Sequence, residues 1–163
     1  MNSWMIRVLV VGSFLGVGSL AHASVHVQYQ AGAGGNDSVQ VLLNADAEGG
    51  AVSLPIGTMV STGDLQQQDL VLGQAIEVEL QPNEQRTVTV PAYCMHSSRS
   101  VPSPGGGMQA AGNAEAPLER LMAVQHLFPH HVMQQAVWAF RDGNAVSDEF
   151  VRKVFEVANV NVK

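Results

Sequence analysis

From Ser24 onward apolar residues first alternate with polar ones and later fall into a longer period, and that change divides the chain. "VHVQYQ" sets Val25, Val27 and Tyr29 against His26, Gln28 and Gln30, the period of a strand with one covered face. The glycines of "AGAGGNDS" and the turn-forming Asn36-Asp37 break it. Further short runs follow: "VQVLLN", "AVSLPIGTMVS", "DLVLG", "AIEVELQ" and "RTVTVPAYC". Gly50, Gly63-Asp64, Gly73 and the Gln81–Gln85 turn separate them. In "AIEVELQ", Ile76, Val78 and Leu80 share one face and Glu77 and Glu79 the other; Val88 and Val90 alternate with Thr87 and Thr89 in the same way.

The pattern then lapses. Residues 97–116, "SSRSVPSPGGGMQAAGNAEA", hold prolines, three consecutive glycines and almost no bulky apolar side chain, and read as a long loop joining two parts of one domain. After it the period lengthens to that of a helix. Pro117 opens a segment in which Leu118, Leu121, Met122 and Leu127 or Phe128 make an apolar face. Pro129 starts a second, carrying Val132, Met133, Ala136, Val137 and Phe140, which Asp142-Gly143-Asn144 ends. Ser147 is placed to cap a third, with Asp148 and Glu149 in its first turn and Phe150, Val151, Val154 and Phe155 as its buried stripe. Val160 and Val162 alternate at the end and suit a short closing strand.

Strands first and helices after imply an α+β fold, expected as an antiparallel β-sandwich-like body followed by two or three C-terminal helices. The expected division is a strand-rich body over 24–96, the Gly/Pro loop over 97–116 and a helical part over 117–163.

The first residues change the compartment. Arg7, the apolar run from Val8 to Leu20 and the small residues Ala21 and Ala23 form the pattern of a secretory signal peptide over 1–23, too short and glycine-interrupted for a membrane span. The remainder, 24–163, is expected to be a single exported domain, periplasmic or extracellular, with no membrane span after cleavage. Charge narrows the partners: eight Lys and Arg stand against fourteen Asp and Glu, a net of −6, which disfavours nucleic acid. A protein or cell-surface ligand is the expected partner. One cysteine precludes an internal disulfide, so Cys94 is buried, reactive, or paired between chains.

Candidate chemistry is sparse. Cys94 ends a strand, where a side chain is held rigidly and can still be reached. His96 lies two residues on, on the same face of a continuing strand, where it could lower the thiol pKa; this gives a thiol-dependent periplasmic enzyme using Cys94 and His96 as the alternative function. His126, His130 and His131 cluster at Pro129, but the proline interrupts the spacing that helix-borne metal ligands need, and neither a metal nor a cofactor is expected. Trp138 reads as an anchor between helices and sheet.

"AYCMH" followed by "MQQAVW" resembles the paired signatures of bacterial thioester domains. Tyr93, Cys94 and Met95 match the aromatic-Cys-apolar segment. Gln134, Ala136, Val137 and Trp138 match the Thr-Gln-x-Ala-apolar-Trp segment, with Met133 in place of threonine. The stretch from Leu54 to Phe140 also resembles an uncharacterised group of secreted bacterial proteins. The resemblance implies an internal thioester between Cys94 and Gln134, supported by Tyr93, His96 and Trp138, through which a non-enzymatic module acylates a nucleophile on its target. It assigns no catalytic residue.

Overall fold

The computed structural model describes residues 24–34 and 37–161. The expected signal peptide with its cleavage point, Asn36 of the first turn, and Val162 of the expected closing strand lie outside them. Among the described residues there are eight strands and three helices: β1 (Val25–Ala31), β2 (Ser38–Ala45), β3 (Gly50–Leu54), β4 (Thr58–Ser61), β5 (Leu70–Leu72), β6 (Ile76–Leu80), β7 (Gln85–Cys94), β8 (Gly107–Asn113), α1 (Ala116–Ala123), α2 (His130–Asp142) and α3 (Glu149–Val157). A 3-10 turn over Gln125–Leu127 joins α1 to α2.

The body is a closed barrel, not the expected sandwich. Its antiparallel strands run β1-β2-β7-β5-β4-β8, and β8 returns to β1. β3 and β6 form a separate two-stranded sheet, whose Val52, Ile76 and Leu80 contribute to the barrel's apolar cluster. The α+β class stands. Closure depends on β8, which lies inside the segment read as a Gly/Pro loop. It pairs Met108 with Tyr29 on one side and Gln109 to Asn113 with Ser61 to Thr58 on the other.

Side chains gave no sign of that strand. β8 is short-chained and largely exposed, so neither of its faces shows alternating hydrophobicity. A ladder needs only backbone groups, and Gly112, at φ 103°, stands opposite the register shift at Met59/Val60, where the sheet bends toward closure.

Alternation along β7 separates two cores. Val90, Ala92 and Cys94 enter the barrel with Val39, Val41, Leu43, Leu70 and Leu72. Tyr93 and Met95 point the other way, into a layer built by Leu118, Leu121, Met122, Met133, Val137, Val154 and Phe155. β7 is therefore the wall shared by barrel and helices.

The helices start and stop for local reasons. Pro117 sits in the first turn of α1, where no N–H is needed. α2 ends at Gly143, whose φ of 70° suits glycine. α3 is capped by Asp148, not by the expected Ser147; its Oδ1 accepts from Phe150 N and Val151 N at 2.8 and 3.1 Å. Phe150, expected in the buried stripe, is 70% exposed, because the cap starts the helix with that residue turned outward. Val160 is buried but outside any strand, its N–H donating to Phe155 O. No helix among the described residues is long and apolar enough to cross a membrane.

Candidate functional site

β7 outruns its partner β2. Ladder pairing with β2 ends at Pro91 opposite Ser38, and Ala92 N makes the last bond on that side, to Asp37 O. In an antiparallel sheet, alternate residues direct both backbone groups to the same side. Tyr93 and Met95 therefore serve β5, where Met95 N donates to Asp69 O. Ala92 O and both backbone groups of Cys94 face an edge with no strand.

Side chains of α2 fill that edge. His130 Nε2 lies 3.0 Å from Ala92 O. Four residues on, Gln134 Oε1 accepts from Cys94 N at 2.8 Å, and its Nε2 donates to Cys94 O at 2.8 Å. The fit follows from pitch: four helical residues rise about 6 Å and two strand residues about 6.7 Å. The carboxamide thus stands in for one peptide unit of the missing strand. Leaving two buried backbone groups unpaired would cost about 1–3 kcal/mol each, which explains a buried glutamine on an otherwise apolar helix face.

The same stripe continues. Trp138, one turn beyond Gln134, packs against the barrel cluster that contains Cys94. Asp142, a turn further, accepts from Ser97 N and Oγ at 3.0 and 2.6 Å, and its other oxygen is 3.7 Å from His96 Nδ1. Burial opposes ionisation of Asp142, but the bonds from Ser97 and the neighbouring His96 ring together outweigh it and lower the pKa of the carboxyl.

Cys94 and Gln134 are thus brought together, with Trp138 beside them and Tyr93 on the opposite face of the strand. Cys94 as a residue is 1% exposed, and burial pushes the pKa of its thiol up to about 11. Tyr93 donates its hydroxyl to Gln125 Oε1 and stacks on His130 with ring centroids 4.6 Å apart. Its phenol is likewise raised, to about 12.

His96 is turned to Asp142, and no hydrogen bond among the described residues joins its ring to Cys94. Its backbone is gripped by Gln68, a buried residue that accepts from His96 N and donates to His96 O and Arg99 O. Of the histidine cluster, His126 and His131 stand exposed while His130 is committed to β7.

Sequence reasoning missed three contributors: Gln68, the strand-edge role of His130, and Asp142. Gln68 ends the run "LQQQDL", which has no period to single it out, and Asp142 had been read only as a helix stop. A signal did exist for His130 and Asp142. His130, Gln134, Trp138 and Asp142 recur every four residues, and a polar stripe at that spacing next to an apolar one is hard to explain by solvent alone.

A shallow pocket of about 200 Å³ adjoins the junction, lined by Ser97, Gln135, Trp138, Asp148 and the 144–147 loop, with no Lys or Arg among its residues. Comparison with protein families, curated proteins and solved structures gives no match to this chain.

Proposed function

We propose that this chain is an exported, non-enzymatic interaction module of the cell envelope or extracellular space, and that it attaches covalently to its target through an internal thioester between Cys94 and Gln134. One observation carries the reading: the carboxamide of Gln134 is pinned by two hydrogen bonds to the peptide groups of Cys94 inside a buried junction. The bonds tether the carboxamide to the residue that carries the sulfur, so the exchange becomes a local rearrangement instead of a bimolecular encounter.

The step is an exchange. The Cys94 sulfur forms a bond to Gln134 Cδ, the Cδ–Nε2 bond breaks, and the thiol proton leaves with the nitrogen as ammonia. The two hydrogen bonds to Cys94 must open for Cδ to turn toward the sulfur. The elevated thiol pKa makes the thiolate scarce near neutrality, so formation is expected to quicken as pH rises. Once made, the thioester leaves a neutral sulfur in an apolar barrel, whereas a thiolate there bears the full cost of desolvation.

That asymmetry also weighs between the two functional readings. A thiol-dependent enzyme needs an ionised Cys94 beside an imidazole base. The buried thiol, and the His96 ring turned to Asp142, favour the acyl reading.

Intact-mass measurement of freshly purified protein tests it. The expected mass is lower by one ammonia, and methylamine adds its whole mass at Gln134, leaving the N-methyl amide one methylene heavier than the unreacted glutamine form. Full mass, together with no methylamine incorporation after prolonged incubation, would remove the proposal.

A further inference from the structure

Trp138 Nε1 is buried and has no hydrogen-bond partner among the described residues. Buried donors are nearly always paired, so one that is not asks for an explanation. The atom itself is shielded from solvent, so a group of the surrounding junction is the nearest source of a partner. Long side chains on a helix lean back toward its N-terminus over the residue four positions earlier, which for Trp138 is Gln134. The indole also packs on the cluster that holds Cys94. In the amide state Trp138 Nε1 makes no bond to Gln134 Oε1, which the bond from Cys94 N holds against the strand edge.

Formation of the acyl bond changes that. Nε2 departs, Cδ moves to the sulfur, and the carbonyl oxygen is released from Cys94 N. We infer that Trp138 Nε1–H is the donor that receives this oxygen, holding the thioester carbonyl and the oxyanion that forms when a primary amine attacks it. The inference rests on the acyl reading above and assigns the indole a role that no packing argument requires.

The sequence of bonds is closed. The amine nitrogen attacks Cδ and the carbonyl electron pair moves onto oxygen, where the indole N–H meets it. Collapse of that intermediate breaks Cδ–Sγ, the pair goes to sulfur, and a proton from the amine restores the thiol. The product is an amide at Gln134 and a free Cys94. A fixed donor at a developing oxyanion is worth on the order of a hundredfold in rate.

Two measurements test this on the full chain. Trp138→Phe keeps the aromatic plate and removes the N–H. With the ammonia-deficient mass and the melting temperature preserved, the variant should react with methylamine on the order of a hundredfold more slowly than wild type. A carbon-13 label at the glutamine carboxamides should show its thioester carbonyl stretch at higher frequency. Reaction at the wild-type rate with an unshifted stretch overturns the role of Trp138 and leaves the thioester intact.

The second measurement covers a variant that fails to fold or acylate. Trp138 is the sole tryptophan of residues 24–161, so a nitrogen-15-labelled chain cleaved at the expected leader shows a single indole N–H resonance. That resonance should lie downfield in the ammonia-deficient protein relative to Cys94→Ala, and equal shifts overturn the inference. A wild-type protein that never shows the ammonia-deficient mass overturns the acyl reading and this inference with it.

Discussion

A glutamine inside a protein is tolerated when both ends of its carboxamide are answered, and Gln134 is answered twice by one residue. Replacing it tests how much the junction depends on that pairing. Gln134→Met preserves length and removes both bonds, leaving Cys94 N and O buried and unpaired. A loss of about 2–4 kcal/mol is expected in urea unfolding, the cost of two such groups after partial relaxation. Loss below about 0.5 kcal/mol would mean that the edge of β7 is satisfied some other way. At this scale the sequence was informative about identity and silent about contact. The motif resemblance singled out Cys94 and Gln134 over Gln135, which is exposed. What the motif did not contain was the partner of the carboxamide. A backbone group has no letter in the sequence, so its need for a donor and an acceptor shows only once the end of β2 is located.

Elements divide according to what writes them. β1, β2, β6 and β7 carry alternating apolar residues and were legible, as were the three helices, whose stripes survive small errors at their ends. β8 is written in backbone alone, and its invisibility is what turned a barrel into an expected sandwich. Six pairings around a ring also satisfy the same inward-outward alternation that two stacked sheets would, so patterning does not separate the two architectures. Exchange of amide hydrogens distinguishes them experimentally. The β8 amides between Gln109 and Asn113 that face β4 should be protected to a degree comparable with β4, although their side chains are exposed. Exchange at the rate of an open loop would contradict the closed ring.

The whole molecule inherits a pH dependence from its shared wall. Both Cys94 and Tyr93 titrate higher in the fold than in an unfolded chain: about 11 against 9.0 for the thiol, and about 12 against 10.0 for the phenol. A folded pKa above the unfolded one means that the native state holds its proton more tightly. The contribution is complete below about pH 9 and is lost as pH climbs through the folded values. Two units correspond to about 2–3 kcal/mol for the free thiol. Urea midpoints of protein with a free Cys94 should therefore fall between pH 9 and pH 11, and Cys94→Ala should fall less steeply across that interval. Parallel slopes would show that the sulfur does not titrate with folding.

The borrowed peptide unit at Cys94 has a consequence for how the chain holds together. The last rung of one barrel wall is supplied by a helix that follows it by forty residues, so neither layer is complete alone. A fragment ending before Ala116 would present the outer face of β5 and β7, with Val71, Tyr93 and the adjoining Met95 uncovered and Cys94 N and O unclaimed, an invitation to pair with the same edge of another copy. Barrel and helices are accordingly one cooperative unit, and translation has to finish α2 before the barrel is sealed.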